Sequence, residues 1–275
     1  TELGVFNYTV NANGKCGNIV LNGKIEIVKG VDNRLAPNSY VFDIDWAKSN
    51  NIGGLKIPVA KAYKMWEDAS GYLKQPIPSS GAQTATVYWE DVPGLVRNVS
   101  IGDGVGKDAK IKVMIDKAKG KGNAVIAFKV DGTVYWSWHI WVTDENIGQT
   151  IEVTNHQSQK YKFMPVNLGW CDGRTTTYAE RSCKVKFTAG DASKEVSIKQ
   201  VSASITTGGN HPYYEWGRKD PFPPSNGLAN TNKTWYDKDG NAHTESPKTE
   251  NLSTGATCIM NYILKPDVMQ GQSYG

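Results

Sequence analysis

Three stretches of this chain carry side chains whose types and spacing could do chemistry. His139 stands in the aromatic run Trp136-Ser137-Trp138-His139-Ile140-Trp141. As a general base it would need an orienting acid and a nucleophile within hydrogen-bond reach. No G-x-S-x-G, H-E-x-x-H or paired-carboxylate motif accompanies it. The expectation is a buried histidine bonded to a carbonyl or to an acid such as Asp144 or Asp172, with no catalytic residues. Tyr213 to Pro223 gathers Glu215, Arg218, Lys219 and Asp220 around Trp216. An Arg–carboxylate fork among rings could hold a polar ligand. The favoured alternative has Arg218 and Asp220 pinning an irregular segment whose exit is fixed by Pro221, Pro223 and Pro224. Trp235-Tyr236-Asp237-Lys238-Asp239-Gly240-Asn241 alternates its acids as a calcium loop does. An EF-hand wants Gly sixth and Glu twelfth, whereas here Gly is fourth and Lys248 twelfth. A hairpin turn at Asp239-Gly240 accounts for the same residues. It leaves Trp235 and Tyr236 as a ring platform for a sugar, whose hydroxyls carboxylates would take. The ligand-binding set expected is therefore Trp235, Tyr236, Asp237, Asp239, Trp216 and Arg218, with no metal and no cofactor. Gly102-Asp103-Gly104-Val105-Gly106 opens no helix, which argues against a phosphate loop.

A β framework must position these residues. Asn123 to Thr143 holds two runs of β-branched and aromatic residues around Asp131-Gly132, which suits a two-residue type I′ turn. Setting Val130 against Thr133 puts Ala127 opposite Trp136 and Val125 opposite Trp138, with Phe128, Ile126 and Ala124 opposite Tyr135, Ser137 and His139. Both faces are largely apolar, so the hairpin should be covered on both sides. A second hairpin is expected at Asn22-Gly23. Strands are also expected at Ser39–Asp45, Leu55–Val59 (as an edge or strand end, because of Pro58), Thr84–Trp89, Leu95–Ile101 and Ala109–Ile115. Lys61–Tyr72 is the helix candidate, closed by Gly71. Residues 145–159 read as loop. Cys183–Phe187 and Glu195–Lys199 read as a strand pair bent at Gly190-Asp191. The rhythm predicts a mainly β chain: an antiparallel β-sandwich over 1–144, then an aromatic-rich, irregular α+β domain over 145–275.

The totals exclude several function classes. Nine Trp, thirteen Tyr and twenty-eight Gly in 275 residues favour strands, turns and ring surfaces over helix bundles. A net charge of +4 with both signs interspersed lacks the clustered basic footprint of a nucleic-acid binder. No apolar run approaches the ~20 residues that span a bilayer. Cys16, Cys171, Cys183 and Cys258 match no zinc spacing; a Cys171–Cys183 bridge is one of three pairings open in an oxidising compartment.

The motifs NSYVF (Asn38 to Phe42), GNAVIAF (Gly122 to Phe128), WSWHIWVTD (Trp136 to Asp144), MPVNLGW (Met164 to Trp170) and YYEWGRKDPFP (Tyr213 to Pro223) run in order through most of the chain. Together they resemble the fimbrillin-related cell-surface proteins of Bacteroidetes-type bacteria that bear a major-paralogous (FISUMP-like) C-terminal domain. The resemblance implies a secreted, usually lipid-anchored protein at the outer membrane, with some members at pilus tips and a C-type-lectin-like C-terminal part. Two departures stand out: the family's domain normally continues beyond the equivalent of Gly275, so the chain reads as a fragment, and Cys16 lies too far in to carry a lipid.

The function expected is a cell-surface adhesin or pilus-associated subunit that binds a glycan or protein ligand and meets neighbouring subunits by strand addition. It would be neither nucleic-acid-binding nor membrane-spanning. The alternatives are a secreted glycan-processing enzyme and a structural pilus subunit.

Overall fold

The computed structural model describes residues 4–14, 17–27, 33–67, 73, 75–207, 209, 211–214, 218–222, 234–244, 256–266 and 268. They divide between two units, Thr1–Pro37 and Asn38–Gly275. In the first, β1 (Gly4–Gly14) and β2 (Gly17–Ile27) pair antiparallel from Gly4↔Ile27 to Gly14↔Gly17. Asn22-Gly23, expected to be the turn, lies inside β2 opposite Thr9 and Tyr8. A dipeptide's turn preference is local and small, and the pairing along two eleven-residue strands overrides it.

The second unit begins with β3 (Ser39–Asp43), which runs directly into α1 (Ile44–Ser49). The Asp43 carboxylate accepts from the backbone N–H groups of Asp45 (3.1 Å) and Trp46 (2.9 Å), ending the strand and capping a helix that the alternating sequence concealed. β4 (Gly54–Pro58) stops at its proline, and α2 (Ala60–Glu67) follows. Residues 68–72, with the expected Gly71 stop, lie outside the described residues. β5 (Gln83–Glu90), β6 (Val96–Gly102), β7 (Lys110–Ile115), β8 (Gly122–Val130) and β9 (Thr133–Thr143) fall where strands were expected. β10 (Ile151–Thr154) corrects the loop reading of residues 145–159, and β11 (Lys160–Phe163) follows it. Then come β12 (Arg174–Tyr178), β13 (Arg181–Ala189), β14 (Ala192–Gln200) and β15 (Ala203–Thr207). β16 (Trp235–Asp237), β17 (Ala242–His243) and α3 (Ala256–Leu264) complete a mainly β chain. Among the described residues no helix is long and apolar enough to cross a membrane.

Six strands join in the order β17-β16-β5-β8-β9-β3 and three in the order β4-β7-β6, with β4 at an edge as its proline predicts. β3 runs parallel to β9, a departure from the wholly antiparallel pairing expected. Asp131 (φ 48°) and Gly132 (φ 81°) make the expected turn between β8 and β9. The expected register holds through Val130↔Thr133 and Lys129↔Val134; beyond them a bulge leaves Tyr135 unpaired, and the pairs become Phe128↔Trp136, Ile126↔Trp138, Ala127↔Ser137 and Val125↔His139. That one extra residue sorts the two faces. Ala124, Ile126, Phe128, Trp136, Trp138 and Ile140 enter the main core with α1, α2 and the three-stranded sheet. Burying each of these indoles contributes roughly 4–5 kcal/mol. Asn123, Val125, Ala127, Ser137, His139 and Trp141 occupy the opposite face, also buried.

The remaining strands form two-stranded ribbons. Among the described residues β10 pairs only with β11, β12 with β15, and β13 with β14. The last two pairings share one register, from Arg174↔Thr207 to Ala189↔Ala192, and so form a single long hairpin interrupted at residues 179–180 and 201–202. It turns at Gly190-Asp191 as expected, with Gly190 at φ 58°.

Candidate functional site

The second face of the six-stranded sheet collects polar groups that the sequence scatters. His139 is completely buried, and its Nε2 lies 2.9 Å from Asn123 Oδ1. Asn123 Nδ2 donates to Asp91 Oδ2 (2.9 Å) and to the Gly169 carbonyl (2.9 Å), which fixes the orientation of the amide. Nε2 is therefore the protonated nitrogen, and Nδ1 accepts from the hydroxyls of Ser39 (3.2 Å) and Tyr214 (3.3 Å). The partner of His139 is thus a carboxamide rather than Asp144 or Asp172, which pair instead with the Lys121 ammonium. Burial lowers the imidazole to about 4, so it is neutral near pH 7. Burial raises the Asp91 carboxyl to about 6, against the hydrogen bonds from Asn123. It also pushes up the Tyr214 hydroxyl and the Cys171 thiol.

A second cluster joins Asn38, Ser137, Lys219 and Asp220. Asp220 is fully buried; one carboxylate oxygen accepts from Asn38 Nδ2 (2.6 Å), the other from the Ser137 hydroxyl and the Lys219 ammonium. Lys219 also donates to the Ser137 carbonyl (3.0 Å) and lies 4.6 Å from the centre of the Trp136 ring. Burial pulls its pKa down while Asp220 pulls it up. Arg218 donates to the carbonyls of Val268 (2.8 Å), Lys265 (3.3 Å) and Pro266, just past the end of α3, and its guanidinium covers the Phe222 ring at 3.7 Å. Arg218 and Asp220 do pin an irregular segment, by closing off α3 and anchoring to the sheet. Trp216, Glu215, Pro223 and Pro224 lie outside the described residues.

Over the His139 network, residues 167–171 meet residues 211–214. Asn167, Leu168, His211, Pro212, Tyr213 and Tyr214 line an open groove of about 370 Å³. Trp141 Nε1 holds the Trp170 carbonyl at 2.9 Å, and the Trp170 and His211 rings lie 6.1 Å apart. Gly169 sits at φ 84° where an added Cβ would come within 2.5 Å of the Pro212 ring, so only glycine lets the two segments close. The groove offers ring faces with an exposed amide beside them. Of its residues, the sequence singles out Tyr213 and Tyr214 at the head of the Tyr213–Pro223 segment, and Asn167 and Leu168 only as part of the motif Met164 to Trp170.

At the hairpin of β16 and β17 the expected turn is present. Trp235 stacks on His243 with ring centres 4.1 Å apart, so one face of its indole is covered. The Asp237 carboxylate accepts from His243 Nε2 (2.9 Å), from Asn241 Nδ2 (3.0 Å), and from the backbone N–H groups of Asp239 and Asn241 (2.9 Å each). Against the cost of burial, these bonds hold the Asp237 carboxyl well below the usual range. Asp239 is paired with Lys238 at the turn's exposed tip. The turn's own bonds hold Asp237, and no metal is needed to explain the loop. Among the described residues Asp144, Glu145 and Asp172 converge, and Asp144 and Asp172 share the Lys121 ammonium. Cys171 (buried) and Cys183 (exposed) are both free thiols, so the bridge between them is not formed. Cys16 and the Cys258 side chain lie outside the described residues.

The ribbons make a different kind of surface. Paired residues share a side, so Cys183/Ile198, Val185/Val196 and Ala189/Ala192 fall on one face of the β13–β14 ribbon, together with Phe187 opposite Lys194. Ser182/Lys199, Lys184/Ser197, Lys186/Glu195 and Thr188/Ser193 fall on the other. Phe187 is 61% exposed, Ile198 55% and Val196 45%. In the β10–β11 ribbon Ile151/Phe163 and Val153/Tyr161 form an exposed apolar side, and Lys160 pairs with Glu152 at 2.7 Å on the other. Compared with known proteins, the chain matches no family model, no curated protein and no solved structure.

Proposed function

We propose that this protein is a cell-surface adhesin or pilus-associated subunit that works by association, and that the long hairpin of β12–β15 is its assembly element. The observation that carries this reading is the pair of two-stranded ribbons with one apolar side each left in water. An isolated two-stranded ribbon is marginally stable, and its unpaired edges are templates for another strand. The occupant proposed for the outer edge of β14 is a second copy of the same strand. The turn closes on Ala189↔Ala192, so Ser193, Glu195, Ser197 and Lys199 direct their backbone groups outward. An antiparallel copy centred on Ser197 sets Glu195 against Lys199 and Val196 against Ile198, twice over. That self-complementarity is what a twofold contact requires. The resemblance to fimbrillin-related proteins agrees with strand addition between subunits, a sandwich-type N-terminal half and a lectin-like C-terminal half.

Arg174 and Thr207 are paired, so residues 175–206 can be replaced by a two-residue turn without stretching the chain. Sedimentation velocity should show concentration-dependent association of the full chain and its loss in the excised one. Equal association of the two would defeat the reading. A second feature, the groove lined by His211, Tyr213 and Tyr214, favours a glycan as the ligand, because ring faces stack on pyranoses while amides take the hydroxyls. On a glycan array Tyr213→Ala should abolish the signal that Trp235→Ala retains; the reverse pattern would move the ligand to the β16–β17 hairpin.

A further inference from the structure

We infer that Lys219 and Asn38 are the two ends of an intramolecular isopeptide bond, formed in the folded chain with Asp220 as proton carrier. The cluster has the parts of an acyl transfer. The electrophile is the Asn38 carboxamide, whose Oδ1 accepts from the indole N–H of Trp136 at 2.9 Å. That donor polarises the carbonyl and would hold the oxyanion of a tetrahedral intermediate. The leaving nitrogen, Asn38 Nδ2, donates to Asp220 Oδ1 at 2.6 Å and to the Lys219 carbonyl at 2.9 Å. The nucleophile, Lys219 Nζ, sits on the other oxygen of the same carboxylate. One buried acid thus touches both the amine that must lose protons and the amide nitrogen that must gain one, and two sequence-distant segments are held together around it.

Burial lowers the Lys219 pKa against the opposing pull of Asp220, which eases the proton release an attack needs. Lys219 Nζ passes a proton to Asp220 and attacks Asn38 Cγ, forming the new C–N bond. The intermediate collapses with cleavage of the Cγ–Nδ2 bond; Nδ2 receives a proton from the attacking nitrogen and departs as ammonia, which takes the proton held on Asp220. In sum, one lysine ammonium and one carboxamide become one secondary amide and one ammonium ion. Asp220 ends as it began, and no oxidant or further reactant is consumed. The ordinary alternative is a permanent ion pair of Lys219 with Asp220, which leaves the covalent structure unchanged.

Mass spectrometry of the purified, denatured full chain separates the two. The intact mass should be that of the sequence less one ammonia, and digestion should release a branched peptide joining the segment around Asn38 to the one around Lys219. Lys219→Arg keeps the cation and its acceptors but removes the amine chemistry; its mass should be that of its full sequence. Asp220→Asn, which keeps the shape and loses the proton carrier, should do the same. The full sequence mass in the wild type, with Lys219 recovered in a linear peptide, would overturn the inference. So would ammonia loss without the branched peptide, since an asparagine succinimide has that mass too.

Discussion

His139 and Asp91 sit at the two ends of Asn123, and their protonation opposes each other's effect on stability. Below its ordinary pKa of about 6.5 the unfolded histidine takes up a proton that the buried ring refuses until about 4. Stability therefore falls as pH drops through that window, by roughly 3 kcal/mol. Asp91 acts the other way. Folded, it keeps its proton up to about 6; unfolded, it gives it up near 4, so its contribution is present at low pH and is lost as pH rises, again by roughly 3 kcal/mol. The windows overlap, and in the wild type the two contributions largely cancel. Asp91→Asn removes only the second. Urea titrations of that variant should show stability falling by roughly 3 kcal/mol from pH 6.5 to pH 4; a flat profile would contradict the neutral, buried assignment of His139. None of this pairing was legible in the sequence, where His139 pointed to Asp144 and Asp172. Hydrogen-bond partners such as Asn38 and Asp220 lie 182 positions apart, and nothing in local spacing brings them together.

Elements were legible where their signal is local. The turns at Asp131-Gly132, Gly190-Asp191 and Asp239-Gly240 are short-range chemistry, and the strands they join follow from alternation. The failures share one cause: a local preference or pattern overruled by something it does not contain. Asn22-Gly23 was absorbed into a longer pairing, and α1 starts because the Asp43 side chain caps it within an alternating run. The bulge at Tyr135 moved Trp136 and Trp138 onto the main-core face, and its carbonyl accepts the indole N–H of Trp66 at 2.6 Å. Alternation predicts the β13–β14 strand pair, but periodicity does not reveal that Phe187, Val196 and Ile198 on its apolar side are exposed. At this scale the twofold register about Ser197 makes a sharp prediction. Glu195→Lys alone, or Lys199→Glu alone, sets like charges opposite across the contact and should weaken association about tenfold; the two together restore opposite charges there. Within the chain Glu195 pairs with Lys184 and Lys199 with Glu180, and the double exchange restores neither pair. Rescue therefore reports the contact between copies and not the stability of the ribbon.

At the scale of the whole molecule two kinds of region coexist. The six-stranded and three-stranded sheets surround a core that is closed on both sides of the central hairpin, with Asn123, Ser137, His139 and Asp220 bonded into two buried polar clusters. The ribbons are the opposite case: among the described residues no further strand pairs with them, and one side of each exposes apolar groups. The open ring-lined groove and the exposed apolar sides of the ribbons are the features on which the proposed association rests. The direct measurement is sedimentation equilibrium of the wild type, both single charge reversals and their combination at one salt concentration. The account predicts self-association in the wild type, its weakening in each single reversal and its recovery in the double. A wild type that stays monomeric throughout, or a double reversal no stronger than the singles, would contradict it.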